Sequence, residues 1–260
     1  LLDIATEKLA VLSEQSVLAL GSGLQPEVLA LARHVAVERG AELLIADTSP
    51  EDLQMRAHGS FQRENFALAR LAAESYLQRV GLALSEQAVR DAAISTLIPG
   101  RMQVLGSDPF TVFDGAHNSP AVAALVESLP ELLAGRSLAL VFGVLEDKDA
   151  ASMLRALLPL CEQAWFTAPP SQRALPPATL ESLAGQLGFE RCACESQPAK
   201  ALAAARDWAR EQGAAVLATG SVYLVGDLLA HAGELDLDIA AARLGERDPQ
   251  AAQLRGRGSS

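Results

Sequence analysis

The run Thr111-Val112-Phe113-Asp114-Gly115-Ala116-His117-Asn118-Ser119-Pro120 decides how the larger part of this chain folds. Three residues suited to a strand pass directly into Asp, Gly, His and Asn, and a proline then stands where the first turn of a helix accepts one. Polar side chains gathered at a strand-to-helix turn cost folding free energy unless they cap the helix, close the turn or bind something. The first N–H groups of the new helix have no partner within it, so they also offer a place for an anion. Two local readings stand side by side. In one, Asn118 or Ser119 caps the helix and Asp114 satisfies the loop. In the other, the same residues hold a ligand.

Working outward, the apolar patterning predicts strands at 101–105, 109–113, 137–142, 163–167, 190–194 and 214–218. Helices are expected at 119–134, 149–159, 178–187, 197–212 and 221–231. Strand and helix alternate with short connections, the pattern of an α/β, Rossmann-like, mostly parallel sheet. Ligands of such sheets collect at the carboxyl ends of the strands, so the residues just after 113, 142 and 219 are the places for chemistry.

The first ninety-odd residues read differently. Strands are expected only at 17–20 and 42–46, among helices at 2–12, 26–38, 63–80 and 85–95. Pro26 opens the second of these helices, Gly81 closes the third and Ser85 caps the fourth. Two strands do not make an independently stable sheet, so this segment is expected to be part of a larger domain with further strands upstream of Leu1. The division that follows is 1–95 as a partial domain, 96–100 as a linker with Pro99-Gly100 as its turn, 101–232 as a complete domain, and 233–260 as a helical or disordered tail.

Composition narrows the function. Half of the 260 residues are hydrophobic, and the net charge is −11. An acidic surface argues against nucleic acid and anionic membranes as partners. No apolar run reaches the roughly 20 residues a membrane helix needs, and no signal peptide is evident. The three cysteines, Cys161, Cys192 and Cys194, are too few and too odd in number for a disulfide framework. They read as structural thiols of a reducing, cytoplasmic protein, although Cys192 and Cys194 could share one strand face. Lysine is scarce: Lys8, Lys148 and Lys200 stand against eighteen arginines.

The polar stretch after Phe113 has companions. Pro99-Gly100-Arg101 precedes it, Phe142-Gly143 with Asp147-Lys148-Asp149 follows, and Gly220-Ser221-Val222-Tyr223-Leu224 comes last. With Asp114-Gly115-Ala116-His117-Asn118, these segments occur in this order in folylpolyglutamate synthase/dihydrofolate synthases and their Mur ligase relatives, which the chain resembles. Ile4-Ala5-Thr6-Glu7-Lys8 and Gln62-Arg63-Glu64-Asn65-Phe66-Ala67 extend the resemblance into the first segment, so that it spans residues 4 to 224.

The resemblance implies an ATP-dependent, ADP-forming ligase that joins L-glutamate to the carboxyl group of folate or dihydropteroate through an acyl phosphate. The cofactors implied are ATP and Mg²⁺, and the implied protein is a cytoplasmic monomer. Residues 1–95 would be the C-terminal remnant of the Mur ligase central ATPase domain, and 101–232 the glutamate ligase domain. Asn65 would contact adenine, Arg101 the nucleotide phosphates and Asp114 the ribose. His117 and Ser221 would hold the glutamate, with Lys148 nearby. Lys8, with His117 the candidate catalytic residue, matches a lysine that the family carbamylates, which would make it an oxygen ligand for Mg²⁺.

The departures are Phe61 before Gln62, Leu9-Ala10 after Lys8, and Phe66 between Asn65 and Ala67. The family's Gly-rich, lysine-bearing phosphate loop is also missing. Gly21-Ser22-Gly23 has no lysine and reads as a turn. This chain alone is therefore expected to be an inactive fragment. The alternatives are a Mur ligase acting on a UDP-linked cell-wall precursor, or a non-catalytic module that binds glutamate or nucleotide.

Overall fold

The structure, a computed structural model, describes residues 1–47, 53–233 and Leu237. The tail expected at 233–260 lies outside the described residues apart from Gly233 and Leu237. Contacts divide the chain into two units, one of Leu1–Arg56 with Ser60–Thr96, the other of Ala57–Gly59 with the chain from Leu97 on.

In the first unit, helix α1 (Leu2–Leu9) leads to β1 (Val17–Leu20), α2 (Pro26–Glu38), β2 (Glu42–Ile45), α3 (Ser60–Arg79) and α4 (Glu86–Ser95). Pro26 stands in the first turn of α2, and Ser85 caps α4 by accepting from Ala88 N. β1 and β2, close to where patterning placed them, pair in parallel as a two-stranded sheet. α3 begins three residues earlier than patterning placed it.

The second unit is built on β3 (Gln103–Ser107), β4 (Phe110–Phe113), β5 (Leu138–Phe142), β6 (Cys161–Phe166), β7 (Cys192–Cys194) and β8 (Ala215–Thr219). Its helices are α5 (Ser119–Leu133), α6 (Ala150–Leu157), α7 (Pro177–Gln186), α8 (Pro198–Gln212) and α9 (Val222–Ala230). The strands form one sheet in the order β3-β4-β8-β5-β6-β7. β3 is antiparallel to β4, and every other pair is parallel. β3 starts at Gln103 rather than at 101, because Arg101 and Met102 belong to a turn in which Met102 takes a φ of 42°.

The chain steps the same way across the sheet from β4 to β5, β6 and β7. Right-handed crossovers therefore place α5, α6 and α7 on one face. α8 runs back from β7 to β8 on the other face, which it shares with α9. There Leu202, Ala205, Leu224, Val225 and Leu228 pack on Phe113, Val141, Trp165, Val216 and Ala218. The two exits from β4 and β8 thus leave neighbouring parallel strands toward opposite faces. This is the switch point where such sheets open a crevice at their carboxyl edge.

Cys192 and Cys194 lie two apart on β7. Cys161 is buried, and burial pushes its thiol up to about 12; Cys194, more open, is pushed up to about 11, burial and a hydrogen bond with Glu181 being the leading causes. Since the thiolate is the nucleophile, iodoacetamide near neutral pH should modify Cys194 slowly and leave Cys161 untouched until the chain unfolds. Mass spectrometry of labelled peptides measures this. Labelling of Cys161 in the native protein at the rate of Cys194 would contradict it.

Candidate functional site

The carboxyl edge of the sheet is held by hydrogen bonds between turns. Asp114 N donates to Ala218 O of β8 at 3.0 Å, Gly115 N to Gly100 O at 2.8 Å, and Gly220 N to Ala116 O at 3.1 Å. The last of these ties the turn carrying His117 to the turn carrying Ser221. Gly143 N, after β5, donates to Thr219 O at 3.3 Å, so the third turn joins the same edge. Two residues separated by most of the unit's sequence are in this way brought beside the switch point.

Asp114 works inside the turn. Its Oδ2 accepts from Met102 N at 2.8 Å, and its Oδ1 from Ala116 N at 2.7 Å. The side chain is buried, and burial raises its carboxyl above the usual range, against those two bonds and the nearby charges of Arg101 and His117. Arg101 reaches the same turn: one of its guanidinium nitrogens lies 3.0 Å from where a Cβ on Gly115 would stand.

His117 is half-buried, and its Nδ1 lies 2.9 Å from Gly115 O. Asn118 is the cap of α5, its Oδ1 accepting from Ala121 N at 2.9 Å. Ser221 is buried and caps α9, its Oγ accepting from Tyr223 N at 3.1 Å. A hydroxyl that accepts in this way can still donate.

Lys148 stands one turn along the edge, between β5 and α6. Its Nζ is 2.7 Å from Asp147, which also lies 3.9 Å from Arg173. The Lys148 hydrogen bond holds the Asp147 carboxyl below its ordinary range. Asp149 caps α6 through Ser152 N. The loop with Lys148 is braced by Glu146 N donating to Arg173 O and Leu175 N donating to Val144 O, both at 2.9 Å.

The remaining sequence candidates belong to the first unit. Lys8 is exposed in the last turn of α1. Asn65, exposed on α3, donates from Nδ2 to Oε1 of the buried Gln62 at 3.1 Å. This leaves the Asn65 carbonyl oxygen as an acceptor. Among the described residues no group of three or more His, Cys, Asp or Glu could hold a metal ion.

Sequence reading passed over three features of the edge. Gly220 has a φ of 107°, and a Cβ there would stand 2.7 Å from Gly143 O and 2.8 Å from the Phe142 ring. The hydroxyls of Thr219 and Thr167, fully buried at the ends of β8 and β6, have no hydrogen-bond partner among the described residues. Arg173 adds charge beside Asp147 and Lys148. Only the glycine left a signal, as the small residue directly after a strand.

Residues 100–222 match the Mur ligase glutamate ligase domain. The curated proteins it resembles are folate enzymes. The dihydrofolate synthase/folylpolyglutamate synthase of Bacillus subtilis is 30% identical over 179 residues, covering 60% of this chain and 41% of the relative. That of Escherichia coli is 28% identical over 239 residues, covering 87% of this chain and 54% of the relative. The Mycobacterium tuberculosis folylpolyglutamate synthase, solved with ADP and AMPPCP, matches at a TM-score of 0.80 and 25% identity, over 90% of this chain and 59% of that chain. The chain thus spans about half the length of these curated relatives. The resemblance read from the motifs and the mostly parallel α/β fold are both borne out.

Proposed function

We propose that this chain supplies the glutamate-binding domain, and part of the nucleotide-binding domain, of a ligase that joins L-glutamate to the carboxyl group of folate or dihydropteroate. The observation that carries the reading is the Gly220 N–Ala116 O bond, which sets the His117 and Ser221 turns together at the switch point of a glutamate ligase domain. Two helices, α5 and α9, begin there, and their N-terminal N–H groups favour carboxylates. The Ser221 hydroxyl and the Lys148 ammonium add donors on the same edge. Catalysis by these residues is a matter of placing the amino acid and balancing its charge.

ATP, when bound, would supply the phosphoryl group that activates the folate carboxyl. Asn65, with its carbonyl oxygen available, suits an adenine amino group, while Arg101 suits phosphate oxygens. Asp114 would face the ribose only with lone pairs left over from its two backbone bonds. The described residues do not make a Mg²⁺ shell by themselves. A carbamylated Lys8 would bring one oxygen ligand. No helix among the described residues is long and apolar enough to cross a membrane, and a monomer in the cytoplasm fits the reading.

Calorimetric titration of the chain with L-glutamate tests it. Saturable binding is expected, with Lys148→Ala weakening it about tenfold, because a hydrogen bond to a charged group contributes about 1.5–3 kcal/mol. Ser221→Ala should weaken it similarly, and Ser221→Thr, which keeps cap and hydroxyl, should not. Absence of saturable binding would overturn the proposal.

A further inference from the structure

We infer that His117 reads the amino group of the incoming amino acid, through Nε2 as a hydrogen-bond acceptor, and not either of its carboxylates. The inference rests on the glutamate site proposed above and adds what one side chain of that site does.

The argument starts from the 2.9 Å contact between His117 Nδ1 and Gly115 O. A carbonyl oxygen only accepts, so Nδ1 must carry the hydrogen and donate. A neutral imidazole has one N–H, and here it is spent on the backbone. Nε2 is then left with a lone pair and no hydrogen. A group in that state repels a carboxylate oxygen and attracts an N–H donor. The ring is half-buried, and among the described residues Nε2 has no hydrogen-bond partner.

The neighbouring groups point the same way. Donors for carboxylates are plentiful on this edge: the starts of α5 and α9, the Ser221 hydroxyl and Lys148. Acceptors for an ammonium group are not. Both oxygens of Asp114 already take backbone N–H groups, and the side chain is buried. Asp147 is paired with Lys148 and faces Arg173. Asp149 and Asn118 are committed as helix caps. The carbonyls of Gly115 and Ala116 are taken by His117 and Gly220. Of these acceptors, His117 Nε2 is the one that takes no hydrogen bond at all among the described residues. An amino acid seated with its carboxylates on the helix starts would then present its nitrogen to the imidazole.

The test compares L-glutamate with glutarate, the same dicarboxylate without the amino group. The wild-type chain should bind L-glutamate at least tenfold more tightly, and His117→Ala should remove that preference while leaving glutarate binding unchanged. A readout independent of the variant is long-range ¹H–¹⁵N correlation of the His117 ring. It should show the Nδ1–H tautomer, with the Nε2 resonance moving on addition of L-glutamate and staying in place with glutarate. Equal wild-type affinity for the two ligands, an Nε2–H tautomer, or an equal loss of both ligands in His117→Ala would overturn this assignment and leave the glutamate site standing. Failure of the wild-type chain to bind L-glutamate at all would overturn the site and the assignment together.

Discussion

Exchanging Gly220 for alanine should destabilise the second unit by about 3 kcal/mol or more, the sum of a strained backbone and an overpacked contact. The residue holds a φ of 107°, a conformation that L side chains rarely adopt. The added methyl group would meet Gly143 O at 2.7 Å and the Phe142 ring at 2.8 Å. Neither neighbour can yield cheaply, since one is backbone and the other a buried ring in the middle of the sheet. Relief would have to come from moving the turn itself, which would stretch the bond from Gly220 N to Ala116 O. Urea unfolding measures the first effect and L-glutamate titration the second: a lower midpoint and weaker binding are expected together. A midpoint equal to that of the wild type would show that the close approach is not needed.

Asp114 carries the second large effect. Asp114→Ala would leave the N–H groups of Met102 and Ala116 without partners inside the protein, both on buried residues. An unpaired buried donor costs about 1–3 kcal/mol, so a loss of about 2–5 kcal/mol is expected from the pair. The carboxyl also has a sign with pH. Burial raises its folded value above the ordinary 3.8, so the folded state binds its proton more readily than the unfolded state does. Its stabilising contribution is then full below the unfolded value and declines as pH rises through the folded one. The advantage of wild type over Asp114→Asn should therefore be largest in acid and shrink toward neutral pH. Urea unfolding of both proteins across that range decides it, and an advantage that grows with pH would refute it.

Much of the second unit was legible because its strands are apolar runs bounded by glycine, proline and cap residues. Asn118, Asp149 and Ser221 do cap the helices that the sequence places after them. The carboxyl-edge location of His117 and Ser221 followed from their both standing after parallel strands. Strand order did not follow, because patterning says which residues are buried and not which strands are neighbours. The start of β3 was misplaced for a local reason: Met102 is apolar like a strand residue, yet its N–H is held by Asp114 in a turn. The hydrogen on His117 was equally invisible, since it depends on where Gly115 O comes to rest. The resemblance implied that His117 holds the glutamate, and the carbonyl contact makes its free nitrogen an acceptor. For Lys8 and Asn65 the roles came from family resemblance alone. The structure adds the Gln62 bond that orients Asn65.

Among the described strands, the one that completes the sheet is the last to be synthesised. β8 inserts between β4 and β5, which precede it by a hundred and by seventy residues or so. While the polypeptide leaves the ribosome in order, those two strands have no common neighbour, and each carries an open apolar edge of the kind that pairs with the wrong chain. The contacts that close the gap span long stretches of sequence and are slow to form. A nascent chain that stops before Ala215 has neither a central strand nor a switch point. The crevice is therefore not assembled piece by piece during translation. It comes into being at one late moment, when β8 brings its turn beside that of β4.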